Sequence, residues 1–175
     1  MTEPERPILE SYWVLPEHLL AGEYPGELDA ERTRKRIDAL IEAGFDMFMD
    51  LTNSNETWPY LNILREEAKI YEVEAVHLRF PIGDFGLPTS QQMNSILDSI
   101  DQNLQAGHKI YLHCWGGIGR TGTVVGCHQV ERGYSATRAL ERIEELRRDS
   151  SKAGRRSPET AAQSDFVRKW PDTRA

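Results

Sequence analysis

The stretch that most constrains this chain is Lys109 to Gly122, KIYLHCWGGIGRTG. A short apolar run ends at His113-Cys114, a glycine-rich loop follows, and Arg120-Thr121-Gly122 opens a helical pattern. Between Cys114 and Arg120 lie Trp115, Gly116, Gly117, Ile118 and Gly119. Glycine at that density lets the backbone turn tightly and aim several N–H groups at one point. The helix N-terminus just beyond adds its dipole to the same spot, so the loop is suited to holding an oxyanion. A cysteine at the floor of such a hole sits in a field that favours the thiolate, a nucleophile. Arg120 brings a planar fork able to take two anionic oxygens at once.

The rest of the chain reads as strands alternating with helices. Tyr12-Trp13-Val14 and Leu19-Leu20-Ala21 form a hairpin around Pro16-Glu17. Asp29 caps a helix to Ala43, with Ile37, Leu40 and Ile41 on one face and Gly44 as its stop. A buried strand covers Phe45 to Leu51, a helix Pro59 to Lys69, and a strand Val73 to Phe80. Thr89 and Gln92 form a capping box for a helix to about Gln105. Ile110 to His113 leads into the glycine loop, and Thr121 to Arg132 leads out of it. Ser135 caps a helix to about Arg148, a polar basic linker spans 149–157, and Ser157 caps a last helix with Pro158 at its first position. This order predicts a single α/β domain over 11–175, a mostly parallel sheet flanked by helices, after a loose lead-in over 1–10. The cysteine loop then falls at the carboxyl end of a strand, where open α/β sheets place their ligands.

His113-Cys114, five residues, then Arg120-Thr121 resembles the signature loop of the cysteine-dependent protein tyrosine phosphatases, with a spacing similar to the dual-specificity branch. The hairpin ending in Gly22-x-x-Pro25 resembles the opening of small domains of that family. The resemblance implies a phosphate monoesterase with Cys114 as nucleophile, and Trp115, Gly116, Gly117, Ile118, Gly119 and Arg120 as the phosphate cradle. It also implies a Thr121 hydroxyl that stabilises the departing thiolate, and a His113 that orients the loop instead of acting as a base. Gln163 is similar to a water-positioning glutamine of several branches.

A leaving oxygen also needs a proton donor. Asp84 lies in a Gly/Pro-rich loop (FPIGDFGLP) just after a strand, as does the family's acid, and is the expected general acid. Asp50 is its rival, although an Asx role in the following loop suits it better. Asp46 begins the same strand and belongs at the wrong sheet edge. His77 is expected to be a structural strand histidine, and Cys127 a core residue.

Charge narrows the partners. The formal net charge is −7 over 175 residues, which argues against nucleic acid or an anionic membrane. No apolar run approaches a membrane span. Two cysteines and a polar MTEPERPILE start point to a reducing, cytoplasmic setting. No Cys/His pair has a metal-ligand spacing, so neither a metal nor another cofactor is expected. Partners are then a phosphorylated protein or a small phosphoester, with the protein acting as a monomer. Trp115 and Ile118 leave the loop without added cations, which favours a mono-phosphate. Arg155 and Arg156 stand as a basic turn, and Tyr12, Trp13, Trp58 and Tyr60 as core or edge residues. A phosphate-binding module without turnover, or a sulfur-transfer or arsenate-reducing thiol, are the alternatives that Asp84 and Thr121 weigh against.

Overall fold

Side chains along a strand alternate between two faces, and here both faces are apolar. Met47, Met49, Ile110 and Leu112 point into one core, while Phe48 and Tyr111 between them point into another. A sheet with such strands needs helices on both sides. The computed structural model describes residues 4–173 and shows this arrangement. The strands are β1 (Ser11–Leu15), β2 (Leu19–Gly22), β3 (Met47–Asp50), β4 (Val76–Arg79) and β5 (Ile110–His113), in the order β1-β2-β5-β3-β4. β1 and β2 pair antiparallel, and every other pair is parallel.

The helices α1 (Ala30–Glu42) and α2 (Leu61–Ile70) close one face through Ile37, Leu40, Ile41, Leu64 and Ala68. The other face carries α3 (Ser90–Gln105), α4 (Gly119–Glu131), α5 (Ala136–Leu146) and α6 (Ala161–Thr173). Asp29 caps α1 by accepting from the Glu31 and Arg32 N–H groups, and Thr89 with Gln92 forms the expected capping box on α3. Helix α4 is buried along most of its length, because α6 packs closely on it. A Cβ at Gly126 would stand 2.7 Å from the Val167 side chain. Cys127 is buried in this core, where burial pushes its thiol up from the ordinary range.

Three expectations change. The last helix starts at Ala161, not at Pro158. The Ser157–Pro158 peptide is cis, and the Ser157 hydroxyl donates to the Ile118 carbonyl at 2.7 Å instead of capping a helix. Thr160 takes over at the helix start, its Oγ1 accepting from the Gln163 N–H at 3.1 Å. Over its described residues, the stretch expected as a loose lead-in is tied down: Ile8 is buried, and the Trp13 Nε1–H donates to the Pro4 carbonyl at 2.8 Å. The basic linker is also held. Buried Arg147 donates to the carbonyls of Lys152 and Arg155 at 3.0 and 2.8 Å and folds the segment back onto the domain. Among the described residues no helix is long and apolar enough to cross a membrane.

His128, on α4, is buried, neither ring nitrogen has a hydrogen-bond partner among the described residues, and burial lowers it to about 4 from 6.5. The folded state therefore holds it neutral while the unfolded chain binds a proton below about pH 6.5, so stability is lost as pH falls from there toward 4. A His128→Gln variant should lose part of that slope. Urea unfolding at several pH values between 7 and 4.5 measures it, and an unchanged slope contradicts this role for His128.

Candidate active site

β5 is the central strand, flanked by β2 and β3, and its carboxyl end delivers His113 and Cys114 to the middle of the sheet edge. The loop Cys114–Gly119 then turns into α4. Gly117 takes φ +71°, and a Cβ there would sit 2.5 Å from the Gly22 carbonyl carbon. Only glycine satisfies both demands. The loop is held by its own carbonyls. The Tyr24 N–H donates to the Trp115 carbonyl at 2.9 Å, and the Lys152 Nζ to the Gly116 carbonyl at 3.3 Å.

Behind the loop, His113 is fully buried, and burial lowers it to about 4. Its Nδ1 faces the Cys114 carbonyl at 3.2 Å, which can only accept, so Nδ1 carries the proton. Nε2 then accepts from the Tyr60 hydroxyl at 2.7 Å. The Asp50 carboxylate at 3.9 Å from Nδ1 is accordingly a neighbour and not an ion-pair partner of a neutral ring. His113 thus bonds the backbone of Cys114 from behind the loop.

A depression of about 330 Å³ opens over the loop, lined by Asp84, Phe85, Cys114, Trp115, Gly116, Ile118, Gly119, Arg120, Lys152, Arg155 and Glu159. Cys114 and Arg120, from one loop-helix segment, and Asp84, 30 residues before Cys114, line one cavity. Arg120 is itself buried, and its fork is shared. Nη1 donates to Glu56 at 2.8 Å and to the Ile82 carbonyl at 2.9 Å, while Nη2 donates to Glu56 and, at 3.1 Å, to Asp84. Burial opposes the Arg120 charge, but the bonds to Glu56 and the nearby Cys114 and Asp84 outweigh it and hold the proton more tightly than usual.

Other expected residues stand elsewhere. Thr121 is buried in the first turn of α4 and does not line the depression; its Oγ1 has no hydrogen-bond partner among the described residues. Gln163 is buried and also off the lining. Its Oε1 accepts from the Glu159 and Thr160 N–H groups at 3.1 Å each, and its Nε2 donates to the Gly86 carbonyl at 3.2 Å. The amide therefore ties the start of α6 to the loop bearing Asp84. Asp50 is a buried anion accepting from the Thr52 N–H and hydroxyl at 2.8 and 2.6 Å, His77 at 3.0 Å and Arg79 at 2.9 Å. Burial opposes its charge, but the hydrogen bonds from His77 and Thr52 outweigh it and hold Asp50 well below the usual carboxylate range. It forms the expected Asx turn. Asp46 lies at the opposite end of β3, bonded to His108 and the Lys109 N–H.

Sequence reasoning missed Glu56, Tyr60, Phe85 and Lys152. Glu56 sits in an ordinary polar loop, and only the neighbouring of β3 and β5 reveals that this loop faces Arg120. Trp58, expected in the core or at an edge, is half exposed near Trp115.

A strand-loop-helix with a cysteine, an arginine and a facing carboxylate over one depression is the arrangement of a protein tyrosine phosphatase fold. The chain belongs to the polymorphic toxin system DSP-PTPase phosphatase family (Tc-R-P), whose profile matches residues 25–134. It resembles the crystal structure of Tk-PTP in its active form, with a TM-score of 0.70 at 24% identity, covering 93% of this chain and 97% of that one. An uncharacterized protein of Methanocaldococcus jannaschii is 40% identical over 55 residues, which are 31% of this chain and 37% of that protein. A protein of Invertebrate iridescent virus 3, named as a tyrosine phosphatase, is 30% identical over 98 residues, 53% of this chain and 37% of that one. The chain spans little more than a third of the length of these curated relatives.

Gly117 carries the sharpest test of the loop's construction. Gly117→Ala should destabilise the protein by about 2 kcal/mol or more, since a left-handed residue and a backbone clash coincide. That corresponds to a melting temperature lower by roughly 4–8 °C. Gly116→Ala, where a Cβ would meet only the Ile118 side chain at 3.9 Å, should be far milder. Equal losses in the two variants would contradict the account.

Proposed function

We propose that the protein hydrolyses phosphate monoesters, protein phosphotyrosine first and phosphoserine or phosphothreonine as well, through a cysteinyl-phosphate intermediate. The observation that carries this reading is the convergence of Cys114, Arg120 and Asp84 on one depression. A binding module has no use for a nucleophile and an acid beside its anion site, and a sulfur-transfer thiol has no use for the acid.

In the first step the Cys114 thiolate attacks phosphorus. The S–P bond forms as the ester P–O bond breaks, and the leaving oxygen takes the proton of Asp84. Arg120 and the loop N–H groups hold the equatorial oxygens, whose charge grows toward the transition state. The incoming phosphate competes with Asp84 for the Arg120 Nη2–H, so binding frees the Asp84 carboxyl to turn toward the leaving oxygen. In the second step water attacks phosphorus, Asp84 takes back a proton, and the S–P bond breaks to return thiolate and phosphate. The buried Thr121 hydroxyl, without a hydrogen-bond partner among the described residues, is available to donate to that thiolate. We assign the water-activating role to Asp84 alone. Gln163, its amide committed to Gly86 and the α6 start, acts by holding the acid loop.

Phe85 and Trp115, 60% and 59% exposed, give the entrance two aromatic rings suited to a phenyl phosphate. A second reading, a compact polyanionic phosphoester, draws on Lys152 and Arg155 in the same lining. Both are already bonded to carboxylates, Lys152 to Glu23 and Arg155 to Glu159, which favours the protein substrate.

Cys114→Ser should abolish release of phosphate from p-nitrophenyl phosphate, with oxyanion binding retained. Asp84→Asn should lower kcat by about 10² to 10⁴ on phenyl or alkyl phosphates, where protonation of the leaving group matters most, and by less on p-nitrophenyl phosphate. Chelator should change none of these rates. Full turnover by Cys114→Ser sinks the mechanism, and equal Asp84→Asn losses across leaving groups remove Asp84 as the acid.

A further inference from the structure

On the far side of Trp115 lies a second depression, of about 350 Å³. Trp115, Gly116 and Lys152 line both it and the reaction cleft. A group attached next to a phosphorylated residue therefore reaches it by passing over one indole ring. Three separate loops supply its apolar surface: Leu28 before α1, Trp58 before α2, and Trp115, which are 77%, 50% and 59% exposed.

The charges of this hollow are already matched. Arg36 bonds Glu23 and Glu27 at 2.9 and 3.0 Å, and Lys152 bonds Glu23 at 2.8 Å and the Gly116 carbonyl at 3.3 Å. An added phosphate would have to break these pairs and then face two carboxylates. An added ammonium or guanidinium would meet Arg36 and Lys152. The uncommitted surface is apolar, and large side chains left exposed together beside a reaction cleft mark a contact site.

We propose that this hollow is a specificity subsite for a large aliphatic or aromatic side chain adjacent to the phosphorylated residue of a protein substrate. It rests on the phosphatase reading given above and adds to it the identity of the neighbouring residue. Trp58 and Leu28 are specificity residues that touch the substrate's flank and not the reacting atoms.

Phosphotyrosine peptides of one framework, with Leu, Trp, Ala, Glu or a second phosphotyrosine immediately before or after the reacting residue, test it. At one of the two positions the Leu or Trp peptide should exceed the Ala peptide in kcat/KM by about fivefold to tenfold, mainly through KM. In Trp58→Ala and Leu28→Ser that advantage should fall below about twofold, as expected when the apolar wall is removed, with turnover of p-nitrophenyl phosphate unchanged. The proposal is overturned if the wild-type protein shows no apolar preference, if the preference survives in both variants, or if Glu or a second phosphotyrosine is preferred. Calorimetric binding of the same peptides to Cys114→Ser should keep the ranking. If that ranking holds while the wild-type protein hydrolyses none of the substrates, hydrolysis is the claim that fails and the subsite stands. If hydrolysis proceeds without ranking, the subsite alone fails.

Discussion

The buried guanidinium of Arg120 is the charge on which the rest of the site depends. A cation taken out of water is tolerated only when its donors are matched. Here Glu56 arrives from the loop after β3, the Ile82 carbonyl and Asp84 from the loop after β4, and the arginine itself from the first turn of α4, which follows β5. One side chain thereby fixes three adjacent strand ends relative to one another. Asp84 is the weakest of these attachments. Its side chain is more than half exposed, whereas that of Glu56 is largely covered. The arrangement therefore separates a covered partner from an exposed one, as the anion-binding role proposed for Arg120 requires.

Beneath that charge the floor is kept neutral. His113 faces Cys114 from behind, and burial holds its ring neutral. The Cys114 carbonyl, which can only accept, places the proton on Nδ1, and Nε2 then accepts from the Tyr60 hydroxyl. The negative charge nearest the floor, Asp50, is satisfied by Thr52, His77 and Arg79 and so adds little field at the thiol. The cationic character of the site comes from Arg120 and from the start of α4, on the side that faces the depression.

Much of this was legible in the chain. Helix caps at Asp29, Thr89 and Ser135, the alternating strands, and the Cys114 to Arg120 loop are local signals, set by residues within a few positions of one another. The placing of Asp84 over the cleft was legible because its loop follows the carboxyl end of a strand, on the same sheet edge as the cysteine loop. The rest depends on contacts between distant segments. Glu56 is one acid in a polar loop until the strand order places it over Arg120. Ser157 and Pro158 have the local pattern of a helix start, but the Ile118 carbonyl competes for the Ser157 hydroxyl and wins. Gln163 lies beside the loop, its Oε1 3.0 Å from where a Cβ on Gly119 would stand, yet its hydrogen-bonding capacity is used by backbone groups that no spacing rule identifies.

The substrate side turns on the same accounting of partners. Counting cations in the loop alone gives one, Arg120, and suggests a weakly charged rim. The fold adds Lys152 and Arg155, carried in by a segment that buried Arg147 folds back onto the domain. Each arrives already bonded to a carboxylate, Lys152 to Glu23 and Arg155 to Glu159. Their effect on a bound anion is thus smaller than their number, since a salt bridge must be given up before either can bind. The exposed rings of Trp115, Phe85 and Trp58 carry no such prior commitment. A ligand therefore finds strong electrostatic attraction at the loop itself and apolar contact around it, the combination that suits the proposed substrate, a single phosphate on an aromatic residue of a polypeptide.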